Sequence, residues 1–177
     1  MKLVEVGPVT DERFDALIDS GDYEREPELI DGHVEWRDTE EPTRDHAAWV
    51  TATIKWFALH DDLWNINAYA ELRTKPAPAN SYLPDVTILS LDAPKEQVVT
   101  HAPLAVFEVL CPRQSMAILK AKFVQYEQMG IKQIWFIDPE DGYWKQFING
   151  QLWMSERFTG VGPIPPFSML EISKLVR

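Results

Sequence analysis

Two apolar segments of this sequence each contain a single acidic residue, and this combination restricts how the chain can fold. Asp85 lies within residues 83–89, and Glu108 lies within residues 104–110. Both segments have the length and apolar character of buried strands, where an ionised carboxylate loses much of its hydration. The fold must therefore supply hydrogen bonds or positive charge to both acids, and a shared divalent cation would do so.

The size and charge of the chain limit the remaining choices. With 177 residues, 45% of them hydrophobic, we expect one domain spanning residues 1–177, with residues 1–22 as a helical lead-in. The 17 Lys and Arg against 28 Asp and Glu give a net charge of −11, which disfavours non-specific binding to a polyanion. A local basic groove remains compatible with this charge, and its candidate residues are Lys55, Arg73, Lys75, Arg113, Lys120 and Lys122.

The sequence shows no signal for export or membrane insertion. Cys111 is the only cysteine, so no intramolecular disulfide can form, and no Cys/His spacing suits a zinc site. The first residues do not begin a signal peptide, and no apolar run is long enough to span a bilayer. We therefore expect a cytoplasmic protein without a membrane partner.

Hydrophobic periodicity predicts an α/β fold with a mixed central sheet flanked by helices. Turn signals at Asp31-Gly32 and Asn149-Gly150 predict a lead-in hairpin and a C-terminal hairpin. The predicted helices cover residues 10–19, 43–60 and 115–129, and the predicted strands cover residues 65–75, 83–89, 104–110 and 133–139. Prolines in residues 76–80 predict a loop, and residues 104–139 form a strand–helix–strand crossover.

One lysine of the third helix falls on its apolar face. At about 100° per residue, Lys122 lies inside the stripe formed by Ile118, Leu119, Phe123, Tyr126 and Met129, whereas Lys120 lies outside it. The ammonium of Lys122 therefore either extends to solvent or points towards the acids of the sheet.

Two carboxylates and one lysine meet the chemical needs of phosphodiester hydrolysis. The reaction needs a nucleophilic water and positive charge where the phosphate oxygens become more negative. If Asp85 and Glu108 face the same side of the sheet, they can bind Mg²⁺ or Mn²⁺, and Lys122 adds a fixed cation. We therefore predict Asp85, Glu108 and Lys122 as catalytic residues, with the first two as metal ligands.

Several motifs together resemble the bacterial putative restriction endonuclease family, a branch of the PD-(D/E)XK nuclease superfamily. The motifs cover residues 28–32, 84–86, 108–112, 122–130, 135–139 and 166–169, so that the resemblance extends over about residues 23–175. It implies a restriction-endonuclease-like core and a Mg²⁺-dependent endonuclease that cuts DNA as a homodimer.

The resemblance also assigns roles to residues, with one departure from the superfamily pattern. The usual motif has a lysine two residues after the second acid, where this chain has Leu110. Lys122 on the following helix would replace it. A third, auxiliary acid would be Glu28 or Glu71, and the sequence does not distinguish between them.

Structural roles remain open for the same residues. Asp85 can end a turn after Pro84, and Glu108 can form an ion pair with Lys122 or Arg73. The surface is an alternative for Glu28 and Glu71. His46, near the start of the second predicted helix, is either a contact to phosphate or water or an ordinary histidine near a helix end. We expect Cys111 to be a small buried hydrophobic residue, because a nucleophile needs a partner histidine and none is near it in the sequence. An inactive binding or assembly module with this fold and a hydrolase of a small phosphorylated molecule are the alternative functions.

Overall fold

The computed structural model describes residues 7–36, 43–112 and 114–177. The helices of these residues are α1 (Asp11–Ser20), α2 (Arg44–Ala58), α3 (Asp61–Trp64), α4 (Met116–Met129) and α5 (Leu170–Ser173). The strands are β1 (Pro27–Ile30), β2 (His33–Trp36), β3 (Ile66–Ala70), β4 (Thr74–Ala77), β5 (Asn80–Tyr82), β6 (Val86–Ser90), β7 (Ala105–Val109), β8 (Gln133–Ile137), β9 (Trp144–Ile148), β10 (Gln151–Met154), β11 (Arg157–Phe158) and β12 (Phe167–Ser168).

The predicted central sheet has six strands in the order β10-β9-β8-β7-β6-β3. Only β7 and β8 are parallel, and α4 connects them, as the predicted crossover requires. The other neighbouring strands pair antiparallel. The sheet is therefore mixed, and its edge strands are β3 and β10, the latter with Trp153 57% and Met154 62% exposed.

The two faces of the central sheet bury different sets of side chains. Phe107 of β7 and Trp135 of β8 pack with α2, whereas Val106 and Phe136 of the same strands pack with α4. This alternation is the period of two expected for a strand covered on both faces. Glu108 is two residues after Val106 on the same strand, so its side chain faces α4 as well.

Both predicted hairpins are present. Asp31 and Gly32 have φ values of 48° and 77°, and Asn149 and Gly150 have values of 50° and 76°. Two consecutive positive φ angles are the requirement of a type I′ turn, which explains why these residue pairs connect β1 to β2 and β9 to β10. The predicted helices are also present, with Thr43 as the N-cap of α2, whereas Ser115 makes no side-chain cap to α4.

The expectation for residues 65–80 was wrong in two respects. Residues 65–75 form two strands instead of one, because β3 joins the central sheet while β4 joins a second sheet ordered β2-β1-β5-β4. Residues 76–80 belong to a β4–β5 hairpin with Ala79 at φ 59°, not to an irregular loop. Pro76 is tolerated because β4 is an edge strand of its sheet.

In the part of the chain that the structure describes, no helix combines the length and apolar character needed to cross a lipid bilayer.

The second sheet lies on the α4 side of the protein, where Ile30 and Tyr82 pack with Leu119 and Tyr126. α4 is thus enclosed between the central sheet and the strands that carry Glu28.

Phe57 is a test of the core between α2 and the central sheet. It is fully buried, and its ring centroid lies 5.4 Å from that of Phe107 and 6.0 Å from that of Phe167. We expect Phe57→Ala to lower the free energy of unfolding by about 3–5 kcal/mol, because the cavity cannot close fully. Urea unfolding measures this, with the 37% exposed Val124 changed to Ala as the control. Equal losses in the two variants would contradict the assigned core.

Candidate functional site

Asp85 and Glu108 lie side by side at the same end of two neighbouring strands. Val86 of β6 pairs with Phe107 of β7 in antiparallel register, so Asp85, one residue before β6, comes next to Glu108. The two residues are only 3% and 1% exposed. Asp85 Oδ2 accepts a hydrogen bond of 2.7 Å from the backbone N–H of Val109, which orients its carboxylate. The structure therefore brings the two predicted metal ligands together.

Lys122 of α4 lies at the centre of this cluster. Its ammonium nitrogen is 2.8 Å from Glu108 Oε1 and 2.9 Å from Glu28 Oε1, and the residue is 1% exposed. Lys120, two positions earlier, is exposed, which confirms the helical assignment of the two lysines. Lys122 therefore points its charge at the acids and does not extend to solvent.

Of the two candidates for a third acid, the structure places Glu28 in the cluster. Glu28 is 6% exposed, and its Oε1 accepts a 2.6 Å hydrogen bond from Leu83 N–H as well as the bond from Lys122. Glu71 is exposed in the turn after β3, with φ at 49°, and its N–H donates to the Asp85 carbonyl at 3.4 Å. Glu71 thus contacts the Asp85 backbone, whereas Glu28 contacts the buried ammonium.

Two tyrosines that the sequence did not single out as site residues contact Glu108 and Lys122 inside the protein. The Tyr126 hydroxyl donates a 2.9 Å hydrogen bond to Glu108 Oε1. The Tyr82 ring lies 5.8 Å from the Lys122 nitrogen and packs edge-on against Tyr126, with ring centroids 5.6 Å apart. The position of Tyr126, four residues after Lys122 on the same apolar stripe, is the sequence signal for this contact.

His46 also lies at the edge of the cluster. Its Nε2 is 3.7 Å from Asp85 Oδ1, and the residue is 7% exposed in the first turn of α2. The sequence indicated either a contact to phosphate or water or an ordinary histidine near a helix end. The structure places it beside one of the predicted metal ligands.

Burial and neighbouring charges shift the ionisation of the cluster. Burial raises the pKa of Glu108 to about 7, with Lys122 opposing the rise and Asp85 and Glu28 adding to it. Burial lowers the pKa of Lys122, but the Glu108 and Glu28 carboxylates outweigh this effect and raise it above its ordinary value. The ammonium is therefore charged, and the acids outnumber it.

The donor set fits a hard divalent cation. Glu28 and Glu108 contact the Lys122 ammonium, and the buried Asp85 lies beside Glu108. Burial raises the pKa of Glu108, and the charges of Asp85 and Glu28 raise it further, so added positive charge would oppose this rise. No set of three or more His, Cys, Asp or Glu side chains among the described residues has the arrangement of a metal site. Mg²⁺ is commonly held by only one or two carboxylates and keeps several waters, which matches the Asp85–Glu108 pair.

The basic residues considered for a groove have different environments. Arg73 donates to the Pro27 carbonyl at 3.0 Å and pairs with Glu26, and Lys75 pairs with Asp15. Lys55 and Lys120 are exposed, and Arg113 lies outside the described residues. These contacts leave Lys122 as the cation at the acids, within the residues that the structure describes.

Comparisons with known proteins concern the family and the fold of the chain. A family model described as Uma2, putative restriction endonuclease, matches residues 11–156. The fold is similar to the crystal structure of a putative nuclease belonging to DUF820 from Anabaena variabilis, with a TM-score of 0.75 and 17% identity, covering 96% of this chain and all of that one. No curated protein matches the chain. At this identity, the structural match establishes the fold.

Replacing Lys122 tests the electrostatic balance of the cluster. We expect Lys122→Met to lower the free energy of unfolding at neutral pH by about 3–5 kcal/mol, because two buried carboxylates lose their cation. Lys120→Met is the matched control on the same helix and should change stability by less than about 0.5 kcal/mol. Urea unfolding of both variants measures the difference, and a Lys122→Met protein as stable as Lys120→Met would disprove the bridge.

The raised pKa of Glu108 predicts a specific pH dependence of stability. Between about pH 4.5 and 7, the folded chain keeps a proton that the unfolded chain releases, so stability falls as the pH rises through this window. In Glu108→Gln, we expect the free energy of unfolding to fall by about 1–3 kcal/mol less than in the wild type as the pH rises through this window. Unfolding curves at pH 4.5, 6 and 8 provide the measurement, and the exposed Glu140→Gln should reproduce the wild-type profile. Parallel profiles for wild type and Glu108→Gln would refute the assignment.

Proposed function

The chain belongs to the Uma2 family of putative restriction endonucleases, and from this membership we propose that it is a metal-dependent endonuclease that hydrolyses DNA phosphodiester bonds. The resemblance inferred from the sequence motifs is thereby confirmed at the level of the family. DNA as the substrate, the requirement for Mg²⁺ or Mn²⁺ and the roles of individual residues are parts of the proposal.

One observation carries the proposal, namely that Asp85, Glu108 and Lys122 converge from two strands and a helix. A structural ion pair with Lys122 would not require Asp85, because Lys122 already pairs with Glu108 and Glu28. Asp85 adds negative charge next to Glu108 and raises its pKa further. An acidic surplus at buried positions is characteristic of sites that bind cations or handle protons.

Each side chain has a distinct role in this proposal. Asp85 and Glu108 would hold the divalent ion, which supplies an activated water and positive charge at the phosphate. Lys122 provides a permanent cation for the phosphate oxygens or the attacking water. Glu28 fixes the Lys122 ammonium through Oε1, and Tyr126 fixes Glu108 by donating to its Oε1.

A second candidate function is an inactive binding or assembly module with the same fold. The observation that favours it is burial, since Asp85, Glu108 and Lys122 are only 3%, 1% and 1% exposed. The proposed enzyme needs access for phosphate at the end of β7, where Leu110 and Cys111 are half-buried and Pro112 is exposed.

The endonuclease proposal includes a homodimer that cuts both DNA strands, and this part rests on the family alone.

DNA cleavage tests the proposal directly. We expect supercoiled plasmid to be nicked or linearised in Mg²⁺ or Mn²⁺ and to remain intact in EDTA. Asp85→Asn and Glu108→Gln should lower the cleavage rate by about 100-fold or more, because each removes a metal ligand. The exposed Glu140→Gln serves as the folded control with a wild-type rate.

The same assay separates the alternatives. Cleavage that persists in both acid variants would rule out the assigned site and indicate a contaminating nuclease. A folded wild-type protein that binds no Mn²⁺ and leaves plasmid intact would support the inactive module. Hydrolysis of a small phosphodiester without plasmid cleavage would support the small-substrate hydrolase, which the net charge of −11 suits better.

A further inference from the structure

The strand β10 forms one edge of the central sheet and leaves apolar side chains in solvent. Trp153 is 57% exposed and Met154 is 62% exposed, although β10 pairs with β9 along its other side. Ile148 of β9, on the same face of the sheet as Trp153, is 40% exposed. A sheet edge with exposed apolar residues is a surface on which another strand can pair.

The main-chain groups of β10 alternate in direction. The Ser155 N–H donates to the Trp144 carbonyl at 3.0 Å, which makes these two residues a hydrogen-bonded pair that extends the β9–β10 ladder. Hydrogen-bonded and non-hydrogen-bonded pairs alternate along antiparallel strands, so Trp153 also directs its main-chain groups towards β9. The N–H and C=O groups of Leu152 and Met154 consequently point away from β9, towards the open edge of the sheet.

No charged residue interrupts this edge. Residues 149–155 contain no Asp, Glu, Lys or Arg, in a chain whose net charge is −11. Edge strands are commonly protected from pairing by a lysine, another charge or a proline, and β10 has none of these. Two acidic copies of the chain can therefore pair here without placing like charges opposite each other within the strands.

The sequence of β10 is complementary to itself about a twofold axis at Trp153. Such an axis, perpendicular to the sheet, keeps each side chain on its own face, so it must pass through a residue and not between two residues. With the axis at Trp153, the two Trp153 side chains meet on one face. On the other face, Leu152 lies opposite Met154 of the second copy, and these residues exchange main-chain hydrogen bonds because both direct their groups outwards.

Other registers of the same strand lose these apolar pairs. An axis at Leu152 would place Trp153 opposite Gln151 of the second copy. An axis at Met154 would place Leu152 opposite the charged Glu156. The register with Trp153 on the axis is therefore the one that pairs apolar side chains on both faces.

The opposite edge of the central sheet lacks this complementarity. β3 is also uncharged, but an axis at its middle residue, Ala68, would place Asn67 opposite Tyr69 of the second copy. Only the small Ala68 side chains would form an apolar pair there. Pairing of two copies is therefore favoured at β10.

We propose that β10 is an interface at which two copies of this chain pair antiparallel, so that their central sheets become one continuous sheet. Trp153 lies on the twofold axis, where a non-hydrogen-bonded pair brings the two side chains closest together. The inference goes beyond the proposed function, because family membership supports a homodimer without giving its interface. It depends on the edge of the sheet and not on nuclease activity.

A charge on the axis tests the interface. We expect Trp153→Lys to weaken association about tenfold or more, because two ammonium groups would meet at the axis. Leu63→Lys, at a 78% exposed position on α3, makes the same change of charge away from β10 and should associate as the wild type does. Sedimentation equilibrium of the full chain over a range of concentrations measures association, and urea unfolding checks that both variants are folded.

Two results of this experiment would overturn the proposal. The first is a wild-type chain that remains monomeric at the highest concentration at which it is soluble. The second is a folded Trp153→Lys protein that associates as strongly as Leu63→Lys.

Disulfide trapping identifies which edge pairs. Cys111, the only cysteine, is first changed to Ser, and Trp153→Cys or Tyr69→Cys is then added. The Cα atoms of a non-hydrogen-bonded pair are about 4.5 Å apart, a distance that a disulfide can span. We expect Trp153→Cys to form a covalent dimer about tenfold faster than Tyr69→Cys on β3, because pairing raises the local thiol concentration. Equal rates, or faster trapping of Tyr69→Cys, would disprove pairing at β10.

Association and DNA cleavage are measured separately, so that the two proposals can fail independently. A chain that pairs through β10 but leaves plasmid intact would disprove the proposed function and support the interface. A chain that cuts plasmid and remains monomeric would support the proposed function and disprove the interface.

Discussion

The ammonium of Lys122 bridges two carboxylates that belong to different sheets, and the buried site depends on this bridge. Glu28 comes from the small sheet and Glu108 from the central sheet, and both hydrogen-bond to Lys122 through Oε1. Burying any one of these charges alone is unfavourable, so the three charges can be buried only when they pair with one another. The bridge thus ties the docking of the small sheet on α4 to the geometry of the acids.

The mixed sheet explains why the acids converge at one end. β7 pairs antiparallel with β6 and parallel with β8, and the crossover through α4 returns over the face that carries Glu108. Asp85 comes from the antiparallel neighbour and Lys122 from the crossover helix. The site therefore follows from the order of strands, and the match to the putative nuclease from Anabaena variabilis shows that the fold is shared at 17% sequence identity.

Local patterns were sufficient for most elements and for the face of Lys122. Hydrophobic periodicity and the Asp-Gly and Asn-Gly turns depend on nearby residues, and these predictions are confirmed. The choice between Glu28 and Glu71 as the third acid depends on how the second, small sheet docks on α4. Whether residues around Pro76 form a strand depends on whether that strand lies at the edge of its sheet. The His46–Cys111 contact joins residues 65 positions apart. No local pattern carries these relations, so they required the three-dimensional structure.

The separation of the bridged residues along the chain affects how the protein reaches this state. Lys122 and Glu28 are 94 residues apart, and Glu28 and Leu83 are 55 apart. Contacts that close such long loops form late, after local helices and hairpins. We therefore expect Glu28 to remain hydrated until the second sheet docks on α4, because burying this carboxylate before it reaches Lys122 is unfavourable.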